Sequence, residues 1–151
     1  MKIVTDSNVF FRAILGRKAG TASKMVIQFI MDGRVTSYTC DALMGEVGRI
    51  IKSDPKLSKI DPVYFRQFMD DIENWLSYVP MKNLEHNQKI LNRIGNDWYL
   101  IAIARSIGAY CIVTYDKDLI SMKGELKNQD DIEVFTSEEF LEYYRSKNQV
   151  V

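Results

Sequence analysis

Gly108-Ala109-Tyr110-Cys111-Ile112-Val113-Thr114-Tyr115-Asp116-Lys117-Asp118-Leu119 is the stretch whose reading decides the fold. Residues 110–114 are short, largely apolar and rich in β-branched side chains, with no polar alternation. That is the pattern of a strand buried on both faces. Just before it, residues 97–107 read as an almost wholly apolar helix that Gly108 stops. A doubly buried strand fed by a buried helix predicts a parallel sheet with helices on both sides.

The flanking segments carry the same logic. Lys2-Ile3-Val4-Thr5 reads as a strand ending at Asp6, residues 35–39 as a second strand, and 132–135 as the last. A short helix is expected over 9–15, then a turn from Gly16 to Gly20. Thr21 or Ser23 caps the next helix, whose Met25, Val26, Phe29 and Ile30 share one side and which Gly33 ends. A helix over 41–53 puts Leu43, Val47 and Ile50 on one face, and Asp54-Pro55 closes it. Residues 62–77 read as an amphipathic helix with Pro62 in its first turn and Phe65, Phe68, Met69, Ile72, Trp75 and Leu76 on its apolar side. Residues 78–95 leave room for an extended piece near Val79 and a helical turn from Gln88 to Ile94. Thr136 and Glu139 have capping-box spacing for a final helix. Strands separated by helices in this way give an α/β fold with a mostly parallel sheet.

Composition sets the outer limits. The chain has 151 residues, 46% apolar and 26% charged, with twenty basic side chains against twenty acidic. A chain of this size buries about 70% of its unfolded surface, enough for one core, so a single domain over 1–151 is expected. A collagen-like repeat, a disordered tail and a cysteine-stapled mini-protein are excluded. Charge is uneven: residues 1–60 carry ten basic and five acidic side chains, and residues 111–151 carry five and nine. Cys40 and Cys111 lie in apolar segments without metal-ligand spacing and read as buried thiols of a reducing compartment. No signal peptide and no membrane-length apolar run is visible, and a soluble, cytoplasmic protein is expected.

In parallel α/β sheets, functional groups gather beyond the carboxyl ends of the strands. Asp6 ends the first strand, and Asp116 lies just past the strand at 110–114. Asp97 stands in the first turn of the apolar helix, and Glu46 borders the core-facing stripe of the 41–53 helix. Carboxylates near one sheet edge repel one another unless something compensates them, and a cation does so most simply. An all-oxygen site favours Mg²⁺ or Mn²⁺, one ion or two, which can activate water and orient a phosphodiester. Spacing alone leaves ordinary roles open as well: turn or cap residues for the aspartates, a solvated helix position for Glu46. Asp118 fits a cap on a short turn before Leu119-Ile120 equally well.

Five segments together resemble the PIN-domain family in order and spacing, over nearly the whole chain. They are Val4-Thr5-Asp6-Ser7-Asn8-Val9; Ser37 to Val47, with Leu43 and Glu46; Asn96-Asp97-Trp98-Tyr99-Leu100-Ile101-Ala102-Ile103-Ala104; Gly108 to Leu119; and Ile132 to Phe140. The likeness is nearest the bacterial and archaeal toxin-component (VapC-like) branch. Ser7 replaces the threonine of the family's D-T-N motif, and Asn96 stands where a further Asp is common. The connection over 78–95, with His86 and Arg93, is longer than usual.

The resemblance implies a three-layer α/β/α sandwich of Rossmann-like topology. It also implies Mg²⁺- or Mn²⁺-dependent hydrolysis of RNA phosphodiester bonds by an activated water. Asp6, Asp97 and Asp116 would be the metal-binding acids, with Glu46 completing the set and positioning the water. Asn8, Thr114 and Asp118 would hold them. Arg12, Lys18 and Lys117 are candidates for phosphate contacts, and Tyr115 for stacking on an unpaired base. Trp98 reads as packing. A small antitoxin and a second copy of the chain are the expected partners. The Met25–Ile30 and 65–76 stripes are the candidate interfaces, although both read first as core.

A non-catalytic RNA-binding or protein-interaction module with the same fold is the alternative. A phosphotransferase-type hydrolase or a receiver domain would want a second acid where Asn8 stands. Residues 16–20 lack the phosphate-loop pattern, and no glycine fingerprint follows the first strand.

Overall fold

Cys111, Ile112 and Val113 are fully buried, as a strand covered on both faces requires. The computed structural model describes residues 1–16, 21–85 and 88–148. In chain order the described elements are β1 (Lys2–Thr5), α1 (Ser7–Leu15), α2 (Ala22–Met31), β2 (Thr36–Thr39), α3 (Asp41–Ser53), α4 (Pro62–Trp75), β3 (Ser77–Tyr78), α5 (Gln88–Ile94), α6 (Trp98–Ile107), β4 (Cys111–Val113), α7 (Lys117–Ser121), α8 (Lys123–Asp130), β5 (Glu133–Phe135) and α9 (Ser137–Asn148). Single 3-10 turns stand at Leu57–Lys59, Met81–Asn83 and Gly95–Asp97.

The strands pair in the order β3-β2-β1-β4-β5, all parallel. Ile3 pairs with Cys111, Val4 with Ile112 and Thr5 with Val113, so successive residues feed opposite layers. Ile3, Cys111 and Val113 pack with Val9 and Phe10 of α1, Val26 and Phe29 of α2, and Phe140 of α9. Val4 and Ile112 pack with Leu100 and Ile103 of α6, Ile90 of α5 and Leu126 of α8. The result is a three-layer α/β/α sandwich around a parallel sheet. Because all strands run the same way, the residues that follow β1, β2 and β4 emerge at one edge.

Local signals behave as the sequence predicts at several boundaries. Thr21 caps α2 by accepting the Lys24 amide at 3.4 Å. Thr136 and Glu139 satisfy each other's main-chain amides at 3.2 and 3.1 Å, a complete capping box. Gly108 ends α6 in the left-handed region (φ 63°), which lets its own amide and that of Ala109 both turn back onto the Ala104 carbonyl.

Three expectations need correcting. The first helix begins at Ser7, directly after Asp6, and not at residue 9. The sequence suggests only a short turn at Asp118 before Leu119-Ile120, whereas residues 117–130 form the two helices α7 and α8, which with Met122 between them bury Leu119, Met122 and Leu126. The apolar stripe of α4 is core only at its carboxyl end. Ile72 and the following Leu76 are buried, Phe65, Phe68 and Met69 are half-buried, and Trp75 is 36% exposed. α4 leads into β3, a two-residue edge strand, so little sheet lies beneath its first turns. The Met25–Ile30 stripe does face the core, through Val26, Phe29 and Ile30.

Two glycines separate backbone conformation from packing, since a Cβ at either would meet no atom within 4 Å. Gly108→Ala must adopt φ 63° and should destabilise the protein by about 1 kcal/mol. Gly45→Ala, inside α3, should stabilise it by roughly 0.5–1 kcal/mol. Urea denaturation of the two variants checks both signs.

Candidate functional site

Asp6 follows the last residue of β1 and is buried, 4% exposed. Its amide is tied to the Val113 carbonyl at 2.9 Å, which extends the β1–β4 pairing by one residue. The Thr114 hydroxyl donates to Asp6 Oδ2 at 2.6 Å, the Asn8 side-chain amide donates to the same oxygen at 3.2 Å, and Ser7 Oγ reaches Oδ1 at 3.3 Å. Asp6 occupies the N-cap position of α1, yet its side chain makes no capping bond. Burial pushes the carboxyl above its ordinary range. The Thr114 and Ser7 bonds oppose that shift, and the charge of Asp116 adds to it.

Asp116 is held differently. Its Oδ1 accepts the amides of Asp118 and Leu119 at 2.8 and 3.3 Å, a true N-cap for α7. Its own amide donates to Thr114 Oγ1 at 3.0 Å. Thr114, with no exposed surface, therefore donates to one acid and accepts from the main chain of the other. Asp118 bears on the site through its main-chain amide, while its side chain is exposed.

Asp97 closes the 3-10 turn that runs into α6, with helical backbone angles and no side-chain capping bond. Its carboxyl is coupled to that of Asp116 by hydrogen bonding. Burial, that bond, and the charges of Asp6, Asp116 and Glu46 together push Asp97 up to about 8. For Asp116, burial would raise the value, but the hydrogen bonds from Asp97 and from the Asp118 and Leu119 amides outweigh it and lower it. The two carboxyls titrate as a coupled pair, Asp97 raised and Asp116 lowered. Glu46, half-buried on α3, is raised first by burial and then by the charge of Asp6, with Arg49 opposing.

The four acids singled out by spacing are therefore electrostatic neighbours. Hydrogen bonding couples Asp97 to Asp116. Among the described residues no three His, Cys, Asp or Glu side chains have drawn together into a formed ion site.

Arg12 lies exposed on α1, with its guanidinium 3.7 Å from the centroid of the Tyr115 ring. Lys117, the first residue of α7, is exposed beside Asp116. Trp98 is core, its ring tilted against that of Tyr99 with centroids 4.2 Å apart. Arg93 pairs with Glu125 at 2.7 Å. Lys18 and His86 lie outside the described residues. Sequence reading missed Ser7 as an Asp6 partner, because it registers only as a threonine replacement in a motif. A separate cleft of about 580 Å³, lined by Tyr38, Tyr78, Trp98 and Arg105 among others, contains none of the four acids.

The family model of the PIN domain matches residues 2–118. The chain belongs to the PIN domain family. No curated protein sequence matches it. Among solved structures, this PIN domain is similar in fold to the crystal structure of VapBC2 from Rickettsia felis bound to a DNA fragment from their promoter. The TM-score is 0.57 at 14% identity, covering 90% of this chain and 98% of that one. The matched span of the PIN domain holds all four acids with Asn8, Thr114 and Asp118, and ends before α8 and α9.

The raised Asp97 value fixes a pH dependence. A carboxyl held near 8 when folded and near 3.8 when unfolded stabilises the fold fully below 3.8, and that contribution is lost as pH rises toward 8. Melting temperature in chelator should fall between pH 5 and pH 8, and Asp97→Asn should flatten the fall and melt higher than wild type at the alkaline end. Thr114→Val strips Asp6 and the Asp116 amide of a buried partner and should cost about 1–3 kcal/mol in denaturant titration.

Proposed function

We propose that this chain is an endoribonuclease that hydrolyses RNA phosphodiester bonds with Mg²⁺ or Mn²⁺, acting as one domain over residues 1–151. The observation that carries this reading is Asp97. At the start of α6, its carboxyl is coupled to that of Asp116 and lies in the electrostatic field of Asp6 and Glu46. A fold gains nothing in stability from gathering four acids at one sheet edge, so the arrangement speaks for a ligand of opposite charge. The donors are all oxygen and suit a hard divalent cation in kind. Asp6, Asp97, Asp116 and Glu46 would hold one or two such ions, which supply an activated water and neutralise charge on the phosphate.

The chain's own residues do the rest. Thr114 and Asn8 hold the Asp6 carboxylate still, and the Asp118 and Leu119 amides hold that of Asp116, so two acids are preorganised. Asp97 would hold the ion in its ionised form, and Glu46 would be the residue that orients the attacking water. Arg12 and Lys117 would take the phosphate charge, with Tyr115 beside Arg12; Lys18 is a further phosphate candidate by sequence alone. Cys40 and Cys111 are buried and Ser7 is engaged by Asp6, which favours direct attack of water with inversion at phosphorus over a covalent intermediate.

The chain is further proposed to be the toxin component of a toxin–antitoxin pair in the cytoplasm. Its antitoxin would occlude the acidic edge, and a second copy of the chain would complete a homodimer. The likeness in fold to VapBC2 supports a protein partner, as do Val63 and Tyr64, 79% and 55% exposed on α4. Among the described residues no helix is long and apolar enough to cross a membrane.

End-mapped cleavage of a mixed RNA pool, with matched DNA, tests the activity. RNA cleavage should require added Mg²⁺ or Mn²⁺, stop in chelator, and fall roughly a hundredfold or more in Asp97→Asn, since even the outer partners of metal ligands are worth 10–100-fold. Undiminished cleavage by Asp97→Asn would sink the assignment. RNA binding without any cleavage would instead favour the non-catalytic module.

A further inference from the structure

Arg12 carries the inference. It is exposed, and among the described residues its guanidinium makes no hydrogen bond and no ion pair, its one close contact being the face of Tyr115. A guanidinium held over a ring keeps its in-plane N–H donors available for an oxyanion. Tyr115 is itself fixed at both ends. Its main-chain amide donates to Asn8 Oδ1 at 3.3 Å, and Asn8 donates onward to Asp6. Its hydroxyl donates to Glu138 Oε2 at 2.7 Å and lies 3.4 Å from Ser23 Oγ, which is 3.0 Å from the buried Ser137 hydroxyl. A continuous chain of contacts therefore runs from the Asp6 carboxylate to the first turn of α9, with the Arg12 guanidinium on its aromatic link. Glu138 lies beyond the residues that the family model matches.

We infer that Glu138 is a positioning residue for RNA binding: by accepting the Tyr115 hydroxyl it fixes the ring on which Arg12 is presented to a substrate phosphate. The inference rests on the proposed ribonuclease reading and names a part of that site on α9. A phenol that donates to a carboxylate carries more electron density in its ring and attracts a cation over its face more strongly. Tyr115 acts here as the seat of Arg12, with that face closed to a base.

A competing effect makes the sign decisive. Glu138 is an exposed negative charge beside a phosphate-binding surface, so plain electrostatics has its removal tighten RNA binding. Positioning has Glu138→Ala weaken it.

The experiment is fluorescence-anisotropy titration of a labelled single-stranded RNA oligonucleotide in metal-free, low-salt buffer. Arg12→Ala should raise Kd about tenfold, the scale of one charge-assisted hydrogen bond. Glu138→Ala should raise it about threefold, the scale of an exposed cation–π contact. Glu138→Gln, which keeps an acceptor for the tyrosine, should rescue the wild-type value, and Tyr115→Phe should match Glu138→Ala. In an Arg12→Ala background Glu138→Ala should add nothing. Equal tightening by the Ala and Gln variants overturns the proposal, because only charge then matters. So does weakening that persists without Arg12. Failure of the wild type to bind RNA overturns the proposal together with the ribonuclease reading. Intact coupling alongside undiminished cleavage by Asp97→Asn would overturn the metal-site reading alone.

Discussion

One hydroxyl governs the carboxyl edge of this sheet. Thr114 Oγ1 donates to the buried Asp6 carboxylate and accepts the amide of Asp116, so a single side chain joins the ends of β1 and β4. That link works only in the observed register, with Thr5 beside Val113 and the Asp6 amide on the Val113 carbonyl. A one-residue slip would turn Thr114 to the opposite layer and leave a buried carboxylate without its shortest bond. Placing an acid at the end of a buried strand thus constrains the pairing of the whole sheet.

The four acids divide by how they are held. Asp6 and Asp116 are bound by groups that belong to the backbone framework or pack directly on it. Asp97 and Glu46 approach from α6 and α3 and are restrained mainly by charge and burial. Such a site is rigid on one side and compliant on the other. The compliant side carries the raised Asp97 carboxyl, coupled to Asp116.

Much of this was legible in the residues, for identifiable reasons. The doubly apolar run at 110–114, the glycine stop at 108 and the reciprocal Thr136–Glu139 pair are local signals with little tertiary dependence, and each is realised. The helix pair over 117–130 was overlooked, although Leu119, Met122 and Leu126 have helical spacing. Met122 breaks the run into two short helices, and Gly124 weakens the second, so their stability comes from packing and not from propensity. For α4, periodicity identified which side is apolar but carried no information about what covers it. The site was legible as positions along the chain. That burial and the carboxylates of Asp6, Asp116 and Glu46 converge on Asp97 is a fact of three dimensions that spacing does not encode.

The sheet's two margins have a further consequence. β3 is two residues long and is soon followed by Pro80, while β5 is three residues long and its Glu133 is paired with Lys127 at 3.0 Å. Neither offers an extended row of free main-chain donors and acceptors on which another strand could zip. Self-templated stacking of β-structure is thereby discouraged at both ends, and recognition of this molecule by another chain is left to helix surfaces and side chains.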